Sequence, residues 1–278
     1  MSPEPASALA AVEPALREAM ERASVRPFVL GICGAQGSGK STLSDALAGH
    51  MRAAGVPTSV LSIDDLYRTH AERAALARDV HPLFAVRGVP GTHDVGLGLD
   101  ILDTLASGLP ARLPRFDKAQ DDRAPEADWD EAPADTRLLI LEGWCVGARP
   151  QADDALAEPV NDLERLEDGA GRWRRTVNRA LAGDYQALFG RIDMLVLLAA
   201  PGFEAVRDWR IEQEHGLARG AAPGASGVMS DAEVERFIRF YERLTRHILD
   251  EMPGRANLVI RLRKDRTPCS IVPARRGR

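Results

Sequence analysis

The octapeptide GAQGSGKS, residues 34–41, is the densest piece of chemistry in the chain. It satisfies G-x-x-x-x-G-K-[ST], a loop whose backbone N–H groups cradle phosphate oxygens. Gly34, Gly37 and Gly39 let the chain turn tightly enough for those groups to converge. Ala35, Gln36 and Ser38 complete the cradle. Ser41 and Thr42 lead into a helix whose positive dipole end adds to the site. Lys40 can reach the β- and γ-phosphates, and the Ser41 hydroxyl suits Mg2+. The ligand expected here is a nucleoside triphosphate. The reaction stays open, because such loops serve kinases, GTPases and ATPases alike.

Two other places supply carboxylates. Asp64 and Asp65 end the run TSVLSIDD, and Glu142 ends RLLILE. Glu142 stands where a Walker-B acid would, able to hold Mg2+ directly or through water. Asp64 follows Lys40 by one predicted helix and one predicted strand, which returns it to the edge that holds the cradle. A hydroxyl acceptor needs a carboxylate there to take its proton during in-line transfer. Asp65 either caps the following turn or orders its neighbours, and Tyr67 lies one turn further along the same acceptor side. Which of the two aspartates is the base is not decided by sequence.

Other residues carry two readings each. In GVPGTHD (88–94), His93 and Asp94 contact an acceptor, or Thr92 and Asp94 cap the next helix. Arg115 and Lys118 are either solvated charges on an exposed excursion or cations for an acidic acceptor. Arg207 and Arg210 are either surface charges on a helix or lid groups that close on the phosphates.

The elements that must position these groups are visible as periodicity. Short apolar runs at 27–33, 57–63, 137–144, 192–199 and 257–262 read as strands, several buried on both faces. Helical patterns separate them at 8–23, 40–54, 70–79, 94–107, 160–189 and 202–218. A further helix follows Ser230, which forms a capping-box pattern with Glu233. Alternation of strand and helix predicts an α/β fold, a doubly wound and mostly parallel five-stranded sheet flanked by helices. The organisation expected is one P-loop domain over 25–265, with an N-terminal helical extension at 1–24, a loop-rich excursion at 110–136, a flexible connection at 216–227 and a basic tail at 266–278.

Bulk properties narrow the function class. The chain has 278 residues, 45% of them hydrophobic, enough for a large core. A net charge of −5 argues against a general nucleic-acid binder. No apolar run approaches a membrane span, and the N-terminal segment carries acids where a secretory signal would be apolar. Cys33, Cys145 and Cys269 are scattered, with no CxxC, and the six histidines form no HExxH. The expectation is a cytoplasmic protein that acts on a small molecule, without nucleic-acid or membrane partners.

The P-loop, SIDDLY, LEGW and an arginine-bearing helix after the fourth strand resemble the phosphoribulokinase/uridine kinase superfamily. More narrowly, GVPGTHD, LPRFDKAQDDRAP, LEGWCVGARP and VNDLERLED resemble the plant- and fungal-type glycerate 3-kinases and their bacterial relatives, over roughly residues 25–265. The resemblance implies ATP- and Mg2+-dependent phosphorylation of D-glycerate to 3-phosphoglycerate. It implies that Asp64 is the base and that Arg207 and Arg210 are lid arginines. The neighbouring possibilities are a nucleoside, pantothenate or another sugar acid as acceptor. A regulatory ATP-binding protein without transfer belongs to a different class. A GTP switch would need an NKxD guanine signature, and the sequence has none.

Overall fold

The computed structural model describes residues 7–24, 26–220 and 229–273. At its centre lies β1 (Phe28–Gly34), every residue of which is buried. Its neighbours are β7 (Leu138–Gly143) and β8 (Met194–Ala199), also buried throughout. These continuous apolar runs suit strands covered on both faces. Beyond β7 lies β2 (Thr58–Ser62), and beyond β8 lie β9 (Leu258–Leu262) and β10 (Pro268–Pro273). The order is β10-β9-β8-β1-β7-β2. The five strands expected from sequence are parallel to one another. The sheet has six strands rather than five, because residues 268–273 return antiparallel along β9. Part of what reads as a basic tail is therefore an edge strand.

Register brings the chemistry to one edge. Ser62 on β2 pairs with Glu142 on β7, and Glu142 pairs with Ile32 on β1. Ligands in such sheets sit outside the carboxyl ends of the strands. The loop after β1, the acid ending β7 and the aspartates after β2 all open there.

One sheet face packs on α1 (Ala8–Arg22), α2 (Lys40–Ala53) and α8 (Phe203–Gly220). Val12 and Leu16 of α1 are fully buried in that layer, so the N-terminal helix is part of the core. The opposite face packs on α4 (Val95–Ala106), α6 (Arg172–Ala182), α7 (Asp184–Phe189) and α9 (Asp231–Glu251). A shorter helix, α3 (His70–Asp79), starts on a Thr69–Glu72 capping box, and α9 starts on the Ser230–Glu233 box read from sequence. Each such cap contributes ~1 kcal/mol to its helix.

The long, mostly helical stretch expected over 160–189 is divided into three helices. Asn161 caps α5 (Asp162–Glu167), and Gly171, at φ +70°, sets the start of α6. Gly183 divides α6 from α7. The excursion at 110–136 is more ordered than its charge suggests. It holds β3 (Ala111–Leu113) paired with β6 (Asp130–Ala132), and β4 (Phe116–Asp117) paired with β5 (Asp122–Arg123). The connection expected at 216–227 begins within α8; residues 221–228 lie outside the described residues.

Candidate active site

β1 leads directly into the phosphate loop. Gly37 and Gly39 lie at φ +76° and +84°, a conformation that costs a residue with a side chain appreciably. A Cβ on Gly37 would also stand 2.7 Å from Trp209 of α8. Gly39 is the N-cap of α2, so Lys40 and Ser41 occupy its first turn. The Gln36 Oε1 and Ser38 Oγ atoms are buried beside the loop with no hydrogen-bond partner among the described residues. Buried polar atoms are rarely left so in a finished site.

Glu142 faces this loop. Ser41 Oγ donates to its Oε1 at 3.0 Å, and Lys40 Nζ stands 3.9 Å from its Oε2. That second oxygen is buried and accepts no hydrogen bond. A hydroxyl and an orphaned carboxylate oxygen side by side fit a hard divalent cation. Among the described residues no cluster of three or more His, Cys, Asp or Glu could cage a metal. That donor set suits Mg2+, which takes few protein ligands and completes its shell with phosphate and water.

Asp64 and Asp65 sit in a 3-10 turn, Ile63–Leu66, capped by Ser62. Their environments differ sharply. Asp64 Oδ1 accepts from the Tyr67 hydroxyl at 2.7 Å, and Oδ2 lies 2.7 Å from Lys118 Nζ. Burial raises its carboxyl, but the ammoniums of Lys118 and Lys40 and the two hydrogen bonds override it, leaving a pKa of about 2. Asp65 turns the other way. It accepts from Phe116 N at 3.1 Å and from Arg115 Nη1 at 2.8 Å. Burial dominates there and moves its carboxyl upward. Asp64 opens into a cleft of about 380 Å³ that also exposes Lys40, Ser41, Lys118 and Glu142. Asp65 does not line it; it pins the excursion at 115–116.

The remaining candidates divide. Tyr67 and Arg210 line the cleft. Arg210 ion-pairs with the buried Glu214 at 2.7 Å and lies over the Phe237 ring. Arg207 is on the exposed side of α8, paired with its neighbour Asp208. His93 lies behind Tyr67, stacked on its ring at 4.7 Å, and its Nδ1 is 2.6 Å from Tyr185 Oη. Burial lowers its pKa to about 4, so it is neutral near pH 7. Asp94 caps α4 through Leu97 N and pairs with Arg123. Arg115 spans Asp65 and Asp130. Neither His93, Asp94 nor Arg115 reaches the cleft surface.

A profile of the phosphoribulokinase/uridine kinase family matches residues 29–151. An uncharacterised kinase of Schizosaccharomyces pombe, mug58, is 39% identical over 226 residues, covering 78% of this chain and 79% of its own length. The chain belongs to the phosphoribulokinase/uridine kinase family. The chloroplastic D-glycerate 3-kinase of Arabidopsis thaliana is 30% identical over 78% of this chain, which spans 46% of that protein's length. The solved D-glycerate 3-kinase of Cryptococcus neoformans shares the fold at a TM-score of 0.78, with 24% identity, over 95% of this chain and 97% of its own. The protein is thus an ATP-dependent phosphotransferase that acts on an alcohol group. No helix among its described residues is long and apolar enough to cross a membrane.

Two cleft residues of this kinase were not singled out by its sequence. Arg266, in the turn between β9 and β10, donates from Nε to Gly37 O at 2.9 Å and lies 5.5 Å over the Trp209 ring. It closes the outer side of the phosphate loop, beside a second opening of about 510 Å³ that exposes Gly39, Ser41 and Thr42. Arg87 lines the first cleft together with Asp64 and Tyr67. No motif spacing points to either; each precedes or follows a turn whose shape is set by distant residues.

Proposed function

We propose that this kinase transfers the γ-phosphate of ATP to a hydroxyl of D-glycerate, giving 3-phosphoglycerate. The observation that carries the reading is the cleft itself: Asp64 opens into the same space as Lys40 and Ser41. A donor cradle and a carboxylate facing one small volume suit in-line transfer to a small alcohol.

In this account the backbone of residues 34–42 and Lys40 hold the triphosphate. Ser41 and Glu142 would hold Mg2+, which when bound would supply positive charge to offset that of the triphosphate. Tyr67 fixes the Asp64 carboxylate, and Asp64 accepts the proton of the attacking hydroxyl. A carboxylate with so low a pKa is a weak base. That suits a loose transition state, in which the hydroxyl proton leaves late. Lys118 stays on the second oxygen of Asp64 and keeps that carboxylate ionised. Arg210 stabilises charge on the phosphoryl oxygens. Glycerate as acceptor is supported by the names of the Arabidopsis and Cryptococcus relatives.

The test is product analysis. Protein, ATP, Mg2+ and D-glycerate are incubated and followed by phosphorus NMR. Growth of the 3-phosphoglycerate resonance is expected. ATP consumption indifferent to D-glycerate contradicts the reading.

A further inference from the structure

We infer that Arg87 is the anion-binding residue of the acceptor half of the cleft, where it takes the carboxylate of the acid being phosphorylated. The inference rests on the small-molecule kinase reading and names the substrate class it serves.

Arg87 is unusually well placed for a residue in a loop. Its carbonyl accepts from the Tyr241 hydroxyl of α9 at 3.0 Å. The next carbonyl, of Gly88, accepts from Trp144 Nε1 at 2.8 Å, just beyond β7. Gly88 N donates to Thr92 Oγ1 at 3.0 Å. Tyr241, Trp144 and Thr92 are all buried. Gly88 lies at φ +129°, and a Cβ there would overlap the Tyr241 hydroxyl. Three buried side chains, Thr92 from the same loop and Trp144 and Tyr241 from distant parts of the chain, thus fix one point of backbone. The GVPGTHD segment acts through that point, since His93 and Asp94 face away from the cleft.

The side chain is posted as firmly. Its guanidinium lies 5.4 Å over the Phe116 ring and pairs with Asp121. Asp121 is held at φ +54° and also pairs with Arg73 at 2.9 Å. Arg73 is fully buried, so of the two arginines only Arg87 reaches the cleft. One carboxylate thus serves two guanidiniums, with His70 the third neighbour at 3.4 Å. Positive charge is left over at this spot.

The other cations nearby have their charge matched. Lys118 is on Asp64, Arg210 on Glu214, and Arg115 on Asp65 and Asp130. Lys40 is committed to the donor phosphates by its place in the loop. Arg87 is the cation with charge to spare, and its planar fork matches a carboxylate with two parallel hydrogen bonds. Arg87 and Asp64 line the same cleft, so a hydroxy acid bound there can set its hydroxyl on Asp64 and its carboxylate on Arg87.

The test compares D-glycerate with its neutral amide, glyceramide, in the wild type and in Arg87→Gln and Arg87→Lys. In the wild type kcat/KM favours the acid. In Arg87→Gln that preference is expected to fall about 30-fold, through the KM for the acid, with the KM for ATP unchanged. Arg87→Lys keeps a charge without the fork and retains part of the preference; it also serves should Arg87→Gln not fold. An acid-over-amide ratio within twofold of wild type in a folded variant, with glycerate still phosphorylated, overturns the assignment alone. Turnover of a different hydroxy acid with the same Arg87-dependent preference supports the assignment and overturns only glycerate. Turnover confined to uncharged acceptors, or none with any hydroxy acid, overturns both.

Discussion

The Tyr67 hydroxyl donates to Asp64 Oδ1 at 2.7 Å, three residues away within one turn of chain. The bond holds one carboxylate oxygen, while the other meets Lys118 in the cleft. It separates two neighbouring acids, since Asp65 is spent on Arg115 and Phe116. Asp64→Asn is expected to slow turnover by ~10²-fold or more, the usual scale for a lost general base. Tyr67→Phe leaves the carboxylate but not its orientation, and a loss of about tenfold in kcat is expected. Steady-state kinetics with nucleotide affinity measured in parallel checks both, because ATP binding should be unchanged. A larger loss from Asp65→Asn in a folded protein contradicts the assignment within the pair.

Lys118 governs the pH dependence. The Asp64 pKa is depressed to about 2 from 3.8. The carboxylate therefore stays ionised as pH falls, until the window between those values is crossed. Its contribution to folding is complete above pH 3.8 and disappears as pH falls through 2. Lys118→Ala removes the main lowering influence and leaves burial, which raises the pKa. The acid limb of kcat/KM is expected to move to higher pH in that variant. A profile that superimposes on the wild type would show that Asp64 is not the group titrating.

Glu142 gives a metal-specific expectation. Glu142→Gln keeps the size and a hydrogen bond to Ser41 but loses the charge beside it. The Mg2+ concentration for half-maximal activity is expected to rise about 10- to 100-fold, the usual scale for a perturbed ligand shell. Titration of activity with Mg2+ at saturating ATP reads this directly.

The two arginines on α8 should behave differently. Arg210 lines the cleft, whereas Arg207 pairs with Asp208 at the surface. Arg210→Ala is expected to lower kcat by tenfold or more through lost charge stabilisation. Arg207→Ala should stay within about twofold. Equal losses from both would contradict the division.

What could be read in sequence was what is encoded locally. The phosphate loop lies between an apolar run and a helix start, and Asp64 and Glu142 each end a β-branched or leucine-rich run. A strand's end can be seen from its own residues. The helical character of 160–189 is legible in its composition, but its division into three helices depends on Asn161, Gly171 and Gly183, which act as caps and breaks inside it. β10 was missed because Arg263–Thr267 looks like the start of a charged tail, though its turn closes through Arg263 N and Thr267 O at 2.8 Å. Arg87 and Arg266 were missed for a different reason. Their positions depend on Tyr241, Trp144 and Gly37, which lie from 57 to 229 residues away. The same reason separates Lys118 from Arg115: both looked like solvated charge, and only the fold puts one on Asp64 and the other on Asp65.

The most direct measurement is initial-rate ADP release from ATP and Mg2+ with a panel of acceptors: D-glycerate, L-glycerate, glycerol, uridine and pantothenate. The account predicts turnover that requires D-glycerate, saturates with it and disappears in Asp64→Asn. Equal rates with no acceptor, or turnover with uridine or pantothenate in place of D-glycerate, would contradict it.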